Sequence, residues 1–252
     1  SRAFTGSSRC AGGLIVAYDV EAVRDQFPIL KREINEHPLI YLDSGATTLK
    51  PKVFVEAVSD YYMMGAANVH RGVHYLSEEA TAKYEATRDK VRQLINAREL
   101  AEIIFTSGTT ASLNTVAHGL RDSVLKAGDE ILVSEMEHHS NIVPWQMAAE
   151  KTGAKVVMIP INDRGEINMA VFKDLLSNKT RIVAVNAVSN SLGTINPVKN
   201  ITALAHEHGA LVVVDGAQAI AHQKIDVQDL DCDFFCFSGH KLFSATGTGI
   251  LY

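Results

Sequence analysis

The chain has little cysteine, no long apolar run and no run of like charge, and each shortage excludes something. Three cysteines, Cys10, Cys232 and Cys236, do not make the disulfide framework of a secreted scaffold, so a reducing compartment is the simpler setting. No apolar run approaches the roughly 20 residues a spanning helix needs. A net charge of -5 gives no electrostatic footprint for nucleic acid or an anionic membrane. There is no Gly-x-Gly-x-x-Gly, the fingerprint of a dinucleotide site. The ten histidines show no His-Glu-x-x-His or comparable ligand spacing, and a Cys-x3-Cys without partners is weak for zinc, so no metal site is expected. Cys232 and Cys236 read instead as small buried hydrophobes. Residues 1–17 contain no Asp or Glu and do not begin with Met. They read equally as a transit-peptide remnant or as read-through sequence and are set aside from the fold. The expected location is cytoplasmic, or organellar if they are such a remnant.

What is present is an ordinary globular composition, 46% hydrophobic and 21% charged, enough for one sizeable core and a smaller lobe. Val20, Val23 and Phe27 have helical spacing, and Leu39–Asp43 reads as a short strand. Pro51 suits the first turn of a helix whose Phe54, Val58 and Tyr61 or Tyr62 share a face. A longer helix is predicted from an N-cap at Ser77 to about Asn96. Strands are then predicted at Ile103–Phe105, Ile131–Ser134, Val156–Pro160, Ile182–Val185, Leu211–Asp215, Phe234–Phe237 and Gly249–Tyr252, with helices such as Asn141–Thr152 and Pro197–His208 between them. That alternation predicts an α/β fold, a mostly parallel seven-stranded sheet flanked by helices. Residues 76–252 form the large domain, and 18–75 an N-terminal arm with part of a small domain. The last strand has no following helix, so the large domain is expected to be incomplete at its C-terminus.

The chemistry gathers at strand ends. Phe234-Phe235-Cys236-Phe237 runs into Ser238-Gly239-His240-Lys241, which places an amine at the sheet's carboxyl edge, where open α/β sheets bind ligands. Ser238 and His240 suit an anion, and Lys241 can form a Schiff base if its charge is suppressed; the alternative is a solvated lysine. Gly108-Thr109-Thr110 opens a helix and suits a phosphate, or simply caps the helix. His138 can lie on a ring or move a proton. Asp215 ends a wholly apolar run and needs a cationic or donating partner, such as a pyridinium nitrogen, unless it is a local N-cap. Gln218 follows it, and Asn190 ends another strand region. Phosphate cup, ring-stacking imidazole, acid and amine together define a pyridoxal phosphate site.

The order of Tyr41-Leu42-Asp43-Ser44, Asn68-Val69-His70-Arg71-Gly72, Gly108-Thr109-Thr110, Glu137-His138-His139, Val214-Asp215-Gly216-Ala217-Gln218 and Ser238-Gly239-His240-Lys241 resembles the class V, fold-type I pyridoxal phosphate enzymes, most closely the group II cysteine desulfurases, or selenocysteine lyases. The resemblance implies that Lys241 carries the cofactor, Asp215 pairs with the ring nitrogen, His138 stacks and assists proton transfer, and Gln218 meets the ring hydroxyl. Thr109, Thr110, Ser238 and His240 would hold the phosphate. Asn190, His70 and Arg71 would lie on the substrate side. It further implies L-cysteine or L-selenocysteine as substrate, a sulfur-acceptor protein, iron–sulfur cluster assembly and a homodimer. The family's nucleophilic cysteine and substrate-binding arginine are expected beyond Tyr252, so this chain reads as an N-terminal portion without a complete catalytic apparatus. Gly45, Ala111 and Ser244-Ala245 depart from the family's usual residues. A kynureninase-like or epimerase-like enzyme, or a noncatalytic binding module, are the competing readings.

Overall fold

The computed structural model describes residues 18–252; residues 1–17, with Cys10 and the transit-peptide reading, lie outside the described residues. Runs such as Glu130–Ser134 (β4), Thr180–Asn186 (β6), Leu211–Asp215 (β7) and Phe234–Ser238 (β8) are apolar with almost no polar alternation, the pattern of strands covered on both faces. With Ile104–Thr106 (β3), Lys155–Ile159 (β5) and Gly249–Leu251 (β9) they form one seven-stranded sheet in the order β3-β9-β8-β7-β6-β4-β5. Strands β5, β4, β6, β7 and β8 are parallel. Side chains alternate between two cores. Leu132, Val183, Val212, Val214 and Phe235 face one layer, and Ile131, Val133, Ile182, Ala184, Val213 and Cys236 the other, with Trp145 fully buried there.

Helices complete the layers: Thr109–Ser123 (α4), Val143–Thr152 (α5), Met169–Leu175 (α6), Val198–Glu207 (α7) and the short Val227–Leu230 (α8). Ahead of the sheet stand Val20–Arg24 (α1), Lys52–Asp60 (α2) and Tyr75–Leu94 (α3), with a two-residue ladder of Glu33–Ile34 (β1) and His37–Pro38 (β2) between the first two helices. α2 buries none of its residues. Among the described residues no helix is long and apolar enough to cross a membrane.

The departures from expectation have physical reasons. β9 is antiparallel to both its neighbours, β3 and β8, because it follows β8 through a turn at residues 239–248 that is too short for a parallel crossover. Leu39–Asp43 is not a strand: among the described residues its ladder contact stops at Leu39, whose N donates to Arg32 O at 3.0 Å, and Leu42 is 92% exposed. Ser77 is not the cap of α3. The helix begins at Tyr75 after His74, and Ser77 is fully buried. Its Oγ donates to Asn68 O at 2.5 Å and accepts from Gly72 N at 3.0 Å, closing the Asn68–His74 loop onto the helix.

The antiparallel edge shapes the ligand face of the sheet. Gly249 on β9 lies so close to the loop before α4 that a Cβ there would stand 2.4 Å from Gly108 Cα and 2.6 Å from Gly108 N. Gly108 itself has φ +148, backbone that side chains rarely adopt. Gly249→Ala must push this loop off the sheet. We expect it to destabilise the protein by about 1–3 kcal/mol, read as a lower denaturation midpoint with an unchanged denaturant slope.

Candidate active site

Because β4, β6, β7 and β8 are parallel, their last residues, Ser134, Asn186, Asp215 and Ser238, come to one edge, and all four are buried. A cavity of about 520 Å³ opens there, within the usual range for a small-molecule site. Asn186, Asp215 and Ser238 form its floor, and Thr109, Thr110, His138, Asn190, Gln218, His240 and Lys241 also line it. The structure thus brings together nine cavity residues expected from the sequence and adds Asn186. His70 and Arg71 do not line this cavity. His70 Nε2 lies 2.7 Å from Glu85 Oε1, and its ring meets the Tyr84 ring edge-on with centroids 5.3 Å apart.

At one end the first turn of α4 offers main-chain N–H groups that have no intrahelical acceptor. Thr109 is buried, and Ser238 Oγ accepts from Thr109 N at 2.7 Å and lies 2.8 Å from Thr109 Oγ1. Two hydroxyls and a helix N-terminus therefore meet where β8 ends, a donor-rich cup suited to an anion. His240 also lines the cavity, its Nδ1 lying 3.2 Å from Thr47 Oγ1.

At the floor, Asp215 Oδ1 accepts from Ala217 N at 2.9 Å. Burial pushes this carboxyl above its ordinary range, and the Ala217 amide, Lys241 and His138 oppose the shift. A carboxylate held this way is short of positive charge. Burial likewise pushes the Lys241 amine below its ordinary value, with Asp215 pulling the other way. Gln218 reaches across the mouth, its Nε2 donating to Gly45 O at 2.8 Å. A Cβ at Gly45 would stand 3.8 Å from that nitrogen, ordinary contact, so glycine is not required there.

His138 ends the bend after β4. Ser140 N donates to its Nδ1 at 3.2 Å, which leaves the proton of a neutral ring on Nε2. Behind it lies a network the sequence reading missed. Buried Glu137 accepts from Ser134 Oγ and, at 2.8 Å, from Asn186 N on Oε1, and from Asn141 Nδ2 at 2.7 Å on Oε2. Trp145 Nε1 donates to Asn141 Oδ1 at 3.0 Å, which fixes the way the Asn141 amide points. Asn186 Nδ2 donates to Met136 O at 3.1 Å. Burial pushes Glu137 up to about 8 against these three donors. One sequence signal was available: Asn186 ends an apolar run as Asp215 does, and the two are ladder partners.

The donor set fits pyridoxal 5'-phosphate. The buried, under-neutralised Asp215 suits a protonated ring nitrogen, the Thr109–Ser238 cup suits a phosphate, and Lys241 supplies an amine with suppressed charge between them. No metal cluster of three His, Cys, Asp or Glu occurs among the described residues.

Residues 40–252 match the family described as aminotransferase class-V. The chain belongs to that family. Among class-V relatives, it is 51% identical over 234 residues to a probable cysteine desulfurase of Vibrio cholerae, covering 93% of this chain and 58% of the relative. Among solved class-V structures, the cysteine desulfurase CsdA of Escherichia coli in an S-sulfonic acid form superposes with a TM-score of 0.84 at 44% identity, over 93% of this chain and 58% of that one. The apo cysteine desulfurase of Thermococcus onnurineus gives 0.85 at 43% identity, over 92% and 56%. The chain spans a little under three fifths of the relatives it matches.

Glu137→Gln tests the network behind His138. The new amide must place its NH2 against Asn141 Nδ2, or else displace the Ser134 and Asn186 donors. Asn141 cannot turn without setting its NH2 against Trp145 Nε1. We expect a loss of about 1–3 kcal/mol, measured by chemical denaturation, with a quenched and shifted Trp145 emission.

Proposed function

We propose that this chain carries the cofactor-binding half of a pyridoxal-phosphate-dependent cysteine desulfurase, acting on L-cysteine to give alanine and passing the sulfur to an acceptor protein. The observation that carries the reading is the meeting of a partly buried amine, Lys241, with a buried carboxyl, Asp215, in one cavity. The names of the relatives favour desulfuration over the kynureninase-like and epimerase-like alternatives.

When bound, the cofactor supplies an electron sink for the α-carbon of an amino acid. This chain's residues do the rest. Asp215 keeps the proton on the ring nitrogen, because a negative charge in a dry site favours the protonated ring. Thr109, Thr110, Ser238 and His240 hold the phosphate at the mouth of α4 and β8. Lys241, its charge suppressed by burial, is the attachment point and accepts or returns a proton at the substrate carbon. His138, with Nδ1 engaged by Ser140, leaves Nε2 free for ring contact and proton exchange. Gln218 meets the ring hydroxyl, and Asn190 flanks the substrate side.

The sulfur-accepting thiolate is neither Cys232 nor Cys236. Both are buried. Burial pushes Cys232 up to about 12 and Cys236 well above the ordinary thiol value, with neighbouring carboxylates reinforcing both. A thiol so disfavoured as an anion is not a nucleophile. His70 and Arg71, outside this cavity, are assigned to the substrate approach in the complete assembly, a homodimer.

Adding pyridoxal 5'-phosphate to the apoprotein should produce a visible absorption band, and borohydride reduction should fix the cofactor on Lys241. Lys241→Ala should abolish both. A colourless protein whose reduced digest carries no adduct on Lys241 overturns the proposal. Attachment requires the neutral amine, so its rate should rise with pH and reach half its maximum below 10.5, the ordinary lysine value.

Asp215→Asn should have opposite effects on cofactor and fold. A carboxyl whose folded value lies above 3.8 stabilises the fold fully only at acid pH, and that contribution is lost as pH rises through the folded value. Removing the charge should raise the melting temperature of the cofactor-free protein at pH 7 by about 2–4 °C. The same substitution should cost at least about tenfold in cofactor affinity, since a charge-assisted hydrogen bond is lost.

A further inference from the structure

The carbonyl oxygen of His240 is the most heavily served acceptor at the site, and its donors come from a segment 190 residues away. Lys50 Nζ lies 2.8 Å from it, Thr48 Oγ1 3.0 Å, Thr48 N 3.1 Å and Thr47 Oγ1 3.2 Å. A peptide oxygen has two lone pairs, so this is more donation than one carbonyl can use. Thr47 has another outlet, His240 Nδ1 at 3.2 Å. The shortest contact, and the only charged one, is the ammonium of Lys50.

That oxygen belongs to the peptide group whose nitrogen is Lys241's. The peptide is planar, so holding the oxygen fixes the amide plane, and the plane fixes where the Lys241 side chain leaves the backbone. The turn's own main-chain bonds all involve Gly239, whose N donates to Thr248 O at 2.9 Å. The turn is a three-residue 3-10 segment, Gly239–Lys241, closed by Leu242 N and Ser244 N on Gly239 O. It runs straight into Phe243 at φ +60, a strained conformation for a bulky residue. Thr48 grips this far end as well, its Oγ1 accepting from Phe243 N at 3.0 Å. Phe27 packs on the Phe243 ring at 5.9 Å. Desolvation lowers the pKa of Lys50, as expected of an ammonium directed at the protein.

We propose that Lys50 is a positioning residue for Lys241, acting with Thr48 through the His240 carbonyl to aim the amine into the cofactor cavity. The inference rests on the cofactor reading of the site. It assigns Lys50, which does not line the cavity, a role in the chemistry without contact with substrate or cofactor. The step it controls is condensation of the neutral Lys241 amine with the cofactor's aldehyde carbon: a C=N bond replaces the C=O bond, and the carbonyl oxygen leaves as water with the two amine hydrogens. A misdirected amine slows that step even where the cavity itself is intact.

The test uses the full-length protein stripped of cofactor, as wild type, Lys50→Met, Lys50→Arg and Thr48→Val, with near-UV circular dichroism confirming the fold. The rate of band formation on adding pyridoxal 5'-phosphate is measured, and the adduct is located after borohydride reduction. Lys50→Met and Thr48→Val should each slow attachment at Lys241 by about 10- to 100-fold. Lys50→Arg, which keeps a charged donor, should recover most of the rate, as a merely structural role would not require. Should Lys50→Met fail to fold, Thr48→Val decides the matter alone. Attachment within about twofold of wild type in the folded variants overturns the proposal, and so does an Arg variant as slow as Met. If wild type itself gains no adduct on Lys241, it is the cofactor reading that falls, a result distinct from either.

Discussion

A carboxylate at the end of an apolar strand is the constraint around which this molecule is arranged. Asp215 terminates β7 in the middle of the sheet, with Asn186 beside it on β6 and Cys236 beside it on β8, so its surroundings cannot be water. Such a group is tolerable only if something positive comes to it. Everything nearby supplies partial answers: one main-chain amide, an amine held at a distance, an imidazole at the mouth. The arrangement leaves this carboxyl short of positive charge, which is how a preformed site differs from a structural ion pair.

The parallel strands explain why the remaining groups arrive at the same place. Parallel pairing puts all carboxyl ends on one edge, and the apolar runs leave no other location for polar side chains than the strand ends. Ser134, Asn186, Asp215 and Ser238 are therefore neighbours by topology. The Glu137 network behind them bonds the bend that carries His138 to β6 and α5. The N-terminal segment, held from the other side by the His240 carbonyl, contributes in the same way without lining the phosphate cup.

Much of this was legible beforehand, and the boundary of legibility is physical. The buried strands could be read to within a residue or two because a run such as Leu211-Val212-Val213-Val214 has few alternatives once helix length is excluded. Their terminal residues could be read for chemistry because polar atoms at the end of such runs need partners. Pairing direction was not legible: nothing in Gly249-Ile250-Leu251 distinguishes a parallel from an antiparallel neighbour. Leu39–Asp43 misled because, among the described residues, its strand-like composition finds a ladder partner only at Leu39. Ser77 misled because its hydroxyl serves a loop nine residues upstream instead of the helix end. Lys50 went unmarked in the sequence, since no local pattern marks a side chain whose acceptor lies on another element.

The insertion of β9 between β3 and β8 has a consequence for the order in which the protein is made. β3 and the loop after it are synthesised early, yet among the described strands their neighbour in the sheet is a segment roughly 140 residues later. Until that last strand leaves the ribosome, β3 has no edge to join, and Gly108 has no surface to rest on. The central parallel strands can assemble first, as long-range pairings allow. The donor cup at the start of α4 is then the final part of this sheet's ligand edge to acquire its shape, when nearly all of these residues have been translated.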